Sequence, residues 1–330
     1  MKKNIQVDSI RQYKKAPSWQ IFFELEDDLS RVWQIPMHYL TKASDTLNKI
    51  IYKLKLDKII PTKEKKQTHF AVLMNPDYHR LYLNKKNVAC FIVDYWKKYD
   101  INLFNKNFKD FSIVYLASLE AITFLKNNGC SLNLQHLAFS IADKHLSLFH
   151  QIVEKDIDVI QIGRKNLLLD EMMLQYCKEN PTVNYVHRII EDGKNIYYST
   201  KYGKIGELHT REALLTIMCR AKISIVSSPG LDGGDWKTGG LNPVTVRVLE
   251  SAIAKCYMLG RFAHNEDYDY FGLKDLIFEV EDNYEHFKQV LENLLQKESF
   301  ELGNQYEQFL QLHLNSVRAK QIQDDVDGLN

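Results

Sequence analysis

Five of the chain's fourteen glycines fall within eleven residues, Gly230 to Gly240. The run Ser-Ser-Pro-Gly-Leu-Asp-Gly-Gly-Asp-Trp-Lys-Thr-Gly-Gly follows a strand-like stretch, Lys222 to Ser227. Behind it, Asn242-Pro243 reads as the start of a helix predicted to reach Lys255, because Asn caps free N–H groups and Pro is pre-set for the first helical position. A glycine-rich turn between a strand and a helix start suits a phosphate: the backbone can approach closely and unpaired N–H groups point at the anion. Gly239, Gly240, Asn242 and Thr245 are the candidate donors, and Lys237 is a cation within the run that could swing in. The competing reading is a flexible surface loop.

Two further groups stand beside this loop in the argument. Glu250 sits in a stretch, Val244 to Ala254, that is apolar around most of the helix circumference and is expected to be buried. A carboxylate there needs a partner. That partner is either Arg247, one turn back, or the hydroxyls of a ligand diol. On the ligand reading, Glu250→Ala weakens ligand binding and leaves the fold intact. Gly163-Arg164-Lys165 follows a strand, Asp158 to Ile162, and precedes a helix, Leu167 to Lys178. Open parallel sheets bind ligands at such strand ends. Arg offers a planar fork to phosphate oxygens and Lys a point charge; the alternative is two solvated cations at a turn.

These groups need a scaffold, and the pattern supplies one. Short apolar runs alternate with amphipathic segments: strands at His69–Met74, Val88–Val93, Phe111–Ala117 and Leu132–Phe139, then again after His145. That rhythm signals an α/β layer architecture with parallel sheets. Trp19 to Leu25 reads as a strand-like piece, Thr41 to Leu56 has helical spacing, and Lys58 to Gln67 reads as a surface connection. Asp192 to Glu207, with three glycines among tyrosines, reads as a hairpin or a loop insertion. The boundary is expected near 146–156, dividing a first domain (1–150) from a second (151–330) that ends in a helical tail.

Composition agrees with two domains. The net charge of +1 hides 23 Lys/Arg against 14 Asp/Glu in residues 1–150, and 20 against 28 in the rest. A basic first half suits an anionic acceptor or the negative surface of a membrane, or is ordinary solubilising lysine. The five cysteines are scattered and read as small buried hydrophobes in a reducing compartment. No signal-peptide pattern opens the chain and no run approaches a membrane span, so a cytoplasmic protein is expected, with peripheral contact at the inner membrane face. The first glycine is Gly129, which excludes a dinucleotide fingerprint after an early strand. The basic residues carry no nucleic-acid motif.

The stretch Ile160-Gln-Ile-Gly-Arg-Lys, followed by Gly239-Gly-Leu-Asn-Pro-Val-Thr-Val-Arg-Val-Leu-Glu-Ser-Ala-Ile-Ala-Lys-Cys-Tyr-Met-Leu259, resembles the donor half of a GT-B glycosyltransferase. It is most similar to the group-1 family, in particular its spore-maturation-like branch, over about residues 150–295. Phe111 to Lys144 is similar to the last strand–helix–strand of the first domain in that family. The resemblance implies two Rossmann-like domains facing a cleft and transfer of a sugar from a nucleoside-diphosphate donor to a glycan, lipid-linked or protein acceptor. The nucleotide sugar is then a substrate and no cofactor is required. It also implies that Gly163, Arg164 and Lys165 hold the donor diphosphate and that Glu250 binds ribose hydroxyls. This chain departs from the family at three points. Asn242 stands where many members carry a second glutamate, Tyr257 replaces the glycine after Cys256, and the family's lysine often lies several residues past the arginine. The Asn242 replacement keeps open a catalytically silent GT-B module as the alternative.

Displacement of a nucleoside diphosphate builds negative charge on the leaving phosphate, which fixed cations and backbone amides stabilise without a metal. Asp156-Ile-Asp158 and Asp267-Tyr-Asp269 are therefore read as chance Asp-x-Asp pairs. A general base is needed only if configuration inverts. Asp94, at the end of the Val88–Val93 strand, and His79 are the candidates, and Tyr78, Tyr95 and Trp96 either stack on an acceptor sugar or pack.

Overall fold

The computed structural model describes residues 5–14, 17–56, 67–82 and 87–329. The connection expected over Lys58 to Gln67 lies, except for its last residue, outside the described residues. The chain is α/β and divides into two compact units, residues 1–143 with 314–330 and residues 144–313.

The first unit is built on six parallel strands: β1 (Ile5–Ser9), β2 (His38–Tyr39), β3 (Thr68–Leu73), β4 (Val88–Ile92), β5 (Phe111–Leu116) and β6 (Leu134–His136), in the order β2-β1-β3-β4-β5-β6. β3 and β4 are buried along their whole length, as strands covered on both faces should be. The strand expected at Trp19–Leu25 is instead part of a helix, Pro17–Trp33. Buried Trp19, Phe22, Leu25 and Leu29 recur every three or four residues, which is one helical face, so the short apolar run is only its middle.

The second unit holds β7 (Ile157–Gln161), β8 (Tyr185–Glu191), β9 (Lys194–Ser199), β10 (Gly203–Gly206), β11 (Ala221–Ser227), β12 (Tyr257–Arg261) and β13 (Ile277–Glu279), in the order β10-β9-β8-β7-β11-β12-β13. Its five core strands are parallel, and β8–β9–β10 form an antiparallel meander that realises the hairpin option for Asp192–Glu207. Chain connections leave β7 toward β8 on one side and return to β11 on the other. The helix Leu167–Glu179 covers one face of the sheet, and the helix Arg211–Cys219 packs in the core of the other. The point where the winding reverses lies between β7 and β11, which are hydrogen-bonded neighbours.

The helical tail expected to close the second domain divides. Gly303–Leu312 stays with the second unit, and Asn315–Asp327 belongs to the first. There Tyr115 OH donates to Asp325 at 3.0 Å, Arg318 Nε to the Ala138 carbonyl at 3.1 Å and Trp33 Nε1 to the Ala319 carbonyl at 3.2 Å. The boundary accordingly falls at Asp143/Lys144, just ahead of the expected 146–156. No helix among the described residues is long and apolar enough to cross a membrane.

Candidate functional site

In an open parallel sheet, ligands bind outside the carboxyl ends of the strands where the winding reverses. The two segments singled out by their chemistry follow the two strands that flank that point: Gly163-Arg164-Lys165 leaves β7, and the glycine run leaves β11. One contact ties them together. Asn166 caps the helix Leu167–Glu179 through Oδ1, which accepts from Leu169 N at 3.0 Å, while its Nδ2 donates to Asp232 Oδ2 at 2.6 Å. Asp232 also accepts from Arg261 Nε, at the end of β12, at 3.0 Å.

The glycine run is a built loop, not a flexible one. Asn242 Oδ1 accepts from Gly230 N at 3.0 Å, Asn242 Nδ2 donates to the Gly240 carbonyl at 3.1 Å, and Thr238 Oγ1 accepts from Gly240 N at 3.2 Å. A Cβ on Gly230 would stand 2.7 Å from the Leu241 carbonyl and from Thr238 Oγ1, so only glycine fits there. Gly239 and Gly240 take positive φ, 65° and 86°. Asn242 is therefore a staple holding the loop, and its side chain is spent on backbone groups. Lys237 is exposed, with its ammonium 4.5 Å from the ring centroid of the exposed Trp236.

The expected helix from Pro243 starts four residues later, at Arg247, and ends at Ile253. Thr245 is thus in the connecting segment, half-buried, and the amides of Gly239–Asn242 do not belong to a helix N-terminus. The loop's own staple takes up Asn242, so it cannot also cap.

The residues around Gly163, in the bend that follows β7, fall into two groups. On one face, Lys165 turns inward: its Nζ donates to Asp170 Oδ2 at 2.7 Å and to His187 Nδ1 at 2.7 Å. Tyr185 OH donates to Asp170 Oδ1 at 2.8 Å. Lys165, expected to face a diphosphate, is instead pinned under the helix Leu167–Glu179, with 16% of its side chain exposed. Burial pushes the Asp170 carboxyl up, and its contacts with His187, Lys165 and Tyr185 outweigh this and hold it below the usual carboxylate range. The stabilisation is complete above the unfolded value of about 3.9 and is lost as pH falls through the lower folded value. Asp170→Asn is expected to cost about 1–3 kcal/mol at pH 7 and to flatten the acid limb of stability below pH 4, read by urea denaturation at a series of pH values. An unaltered acid limb would remove Asp170 as its source.

On the other face lies a cluster of guanidiniums. Glu250 is fully buried, and its two oxygens accept from Arg211 Nη1 and Arg247 Nη1. Arg247 is thus one of its partners, and Arg211, 39 residues earlier, is the other. With both oxygens engaged by arginine, the carboxylate is a bridge between two cations. Gly163 has φ +82°, and a Cβ there would meet Arg247 Nε at 3.2 Å, so glycine lets this guanidinium lie against the loop. Arg164 is exposed at the same turn. Arg188 lies one position past the last β7–β8 pair, Gln161 with His187. Its Nη1 donates to Asn195 Oδ1 at 3.1 Å, and its buried Nε has no hydrogen-bond partner among the described residues. Burial lowers its pKa, and the charges of Arg164 and Arg247 lower it further, while Tyr197 opposes them. Arg188 and Arg211 were not singled out from sequence. An arginine inside the apolar strand Tyr-Val-His-Arg-Ile-Ile was the signal for the first; nothing in spacing marks the second.

In the first unit, Asp94 follows β4 as expected, half-buried, with its N–H on the Met74 carbonyl at 2.9 Å. His79 is a core imidazole, 5% exposed, with Nδ1 donating to the Pro76 carbonyl at 2.9 Å and its ring against Tyr52 and Phe108. It cannot reach a bound molecule without unpacking both rings, which counts against it as a base. Tyr95 packs on Phe104, and Tyr78 on Trp19. A different imidazole is better exposed: His38 Nδ1 donates to the buried Asp8 at 2.7 Å, and His69 Nδ1 holds the carboxylate's other oxygen at 3.0 Å. His38 was not singled out from sequence, because its partner is 30 residues away on β1.

No family model matches the chain, and no curated protein matches it in sequence. Solved structures do match its fold. The α,α-trehalose-phosphate synthase (UDP-forming) from Burkholderia vietnamiensis aligns over 96% of this chain and 82% of its own, with a TM-score of 0.56 at 9% identity. S. aureus TarM, solved as a point mutant with Fondaparinux, α-GlcNAc-glycerol and UDP, aligns over 83% of this chain and 58% of its own, with a TM-score of 0.52 at 10% identity. The chain spans 60% of a chain of the GtfA/B complex and 59% of pneumococcal O-GlcNAc transferase GtfA. Together with the two parallel-dominated sheets, the likenesses to the synthase and to TarM define a GT-B fold of two Rossmann-like domains.

Proposed function

We propose that the protein is a GT-B glycosyltransferase that moves a sugar from a nucleoside-diphosphate sugar, UDP-linked in the first instance, to a hydroxyl of a glycan, lipid-linked or protein acceptor. The pathway would be surface polysaccharide or glycoconjugate synthesis in the cytoplasm. The observation that carries this reading is the placement of Arg164, Arg188 and Arg247 around the β7 turn, beside the loop after β11, with Glu250 engaging Arg247. Like charges gathered around one turn, two of them partly buried, repel, and a dianionic or trianionic phosphate relieves that cost. The same cations then stabilise the leaving diphosphate, so added metal is not required in this reading. UDP in the TarM structure and the UDP-forming reaction named for the synthase favour UDP as the first nucleotide to try. The resemblance of Ile160–Lys165 and Gly239–Leu259 to the spore-maturation-like branch favours the same class.

The relation of Glu250 to ribose is revised within this proposal. Its role is to hold Arg247 and Arg211 in place, and any hydroxyl contact would have to be shared with them. The first unit would serve the acceptor, with Asp94 retained as a candidate base for an inverting reaction.

The test is calorimetric titration with UDP and GDP, followed by a panel of nucleotide sugars scored for released nucleotide with and without chelator. Arg164→Ala is expected to weaken nucleotide binding about 10- to 100-fold, since one charge-assisted hydrogen bond is worth about 1.5–3 kcal/mol. Unchanged affinity in Arg164→Ala would move the diphosphate elsewhere. Binding without release from any donor in the panel would favour the silent module, which the Asn242 replacement keeps in view.

A further inference from the structure

The helix Lys42–Lys53 has an inside and an outside, and the outside is apolar. Inward, Asp45 is buried and paired with Lys49 at 2.8 Å, Asn48 Nδ2 donates to the Leu81 carbonyl at 3.3 Å, and Tyr52 packs against the His79 ring. Outward, Leu47, Ile50 and Leu54 are 57%, 49% and 63% exposed. Their spacing of three and four residues, continued back to the exposed Ala43, draws one stripe along the helix. Leu56, 40% exposed, extends the apolar surface past the helix end. Lys42, Lys49 and Lys53 recur along one edge of the stripe, and Lys55 follows it. Between Thr41 and Leu56 the one acid is Asp45, which faces inward and pairs with Lys49, so Lys42, Lys53 and Lys55 have no acid of this segment to offset them on the outer side.

We propose that this outer face seats on an anionic phospholipid surface, with Leu47, Ile50 and Leu54 entering the headgroup–acyl boundary and the lysines meeting lipid phosphates. The composition is that of an interfacial helix: a hydrophobic stripe, lysine at its margin and no exposed acid. Charge complementarity selects the lipid. A basic margin is attracted to an anionic leaflet and screened from it by salt. The stripe, about 17 Å long and about one helix diameter of 10 Å wide, covers on the order of 170 Å², well short of the roughly 800 Å² per partner that a stable protein interface buries. This contact is independent of the nucleotide site and goes beyond it: it places the protein at a membrane surface through one helix of the first unit.

The experiment is cosedimentation of the full chain with phosphatidylglycerol–phosphatidylcholine vesicles and with phosphatidylcholine vesicles, at low and high salt. The expected result is binding to the anionic vesicles, weakened several-fold by high salt and by Lys42→Glu/Lys53→Glu. Leu47→Ser/Leu54→Ser is expected to lower partitioning at least tenfold while the thermal melt and UDP titration stay as in the unaltered chain. These side chains are exposed, so the fold does not depend on them, and the unaltered chain alone decides the main point. Absence of binding to anionic vesicles overturns the proposal. So does equal binding by the serine variant, or a concentration-dependent dimer that the serine variant abolishes without any vesicle binding.

Discussion

Glu250→Ala is expected to destabilise the second unit by about 3 kcal/mol, measured by urea denaturation, as well as to weaken nucleotide binding. Glu250 is fully buried and accepts from Arg211 and Arg247. Removing one member of a buried ion group leaves the others desolvated without a counter-charge, which costs about 3–5 kcal/mol. The lower end applies here because Arg247 is 28% exposed and water can reach it. This revises the expectation that the variant keeps its fold intact. A pure ligand contact would change affinity with no change in the denaturation midpoint, and that outcome would remove the bridging role. The double variant Glu250→Ala/Arg211→Met offers an internal control, since it removes the stranded inner cation along with the acid. It should recover part of the lost stability, because an apolar side chain of similar length leaves less buried charge unpaired.

The second large effect is expected at Gly230. An added methyl would stand 2.7 Å from the Leu241 carbonyl, 2.7 Å from Thr238 Oγ1 and 2.8 Å from Asn242 Oδ1, distances that real Cβ atoms do not adopt. Two of these atoms belong to the staple that closes the loop. Gly230→Ala must therefore open the loop after β11, breaking the Gly230–Asn242 hydrogen bond and moving the amides of Gly239 and Gly240. Overpacking of this kind costs about 1–3 kcal/mol. The loop lies beyond the carboxyl end of β11, outside the sheet, so nucleotide affinity should suffer more than global stability: a loss of tenfold or more by calorimetry beside a small change in thermal midpoint. Gly233→Ala provides the comparison, because nothing lies within 4 Å of its Cβ position, although its φ of +86° still strains an L residue. Equal nucleotide affinity in Gly230→Ala and the unaltered chain would show that the loop does not touch the ligand.

Both predictions rest on atoms that the linear pattern could not connect. The α/β class, the parallel strands from β3 onward and the strand-end position of Gly163-Arg164-Lys165 follow from hydrophobic periodicity and glycine placement, which are local properties. The same local rules misread Trp19–Leu25, because a short apolar run fits either period until its neighbours on both sides are counted. They also started the helix at Pro243, since Asn-Pro is a strong local signal and the competing use of Asn242 lies twelve residues back, at Gly230.

Side-chain partnership is where local reading ended. Lys165 and Arg164 are adjacent in sequence, yet one is tied beneath a helix to Asp170 and His187 while the other stands in solvent. His79 carries the right chemistry and sits in the core, whereas His38, unmarked by any motif, is held half-exposed by Asp8 across a strand pair. From its residues alone, this protein was committed to two α/β units and to a glycine-rich turn near a cationic strand end. Which cations face outward, which acid they share and which unit receives the last helix depended on strand order and on contacts between residues tens to hundreds of positions apart. Periodicity and turn chemistry act over a few residues, but desolvation and ion pairing act through space, and only the folded chain brings those partners within reach.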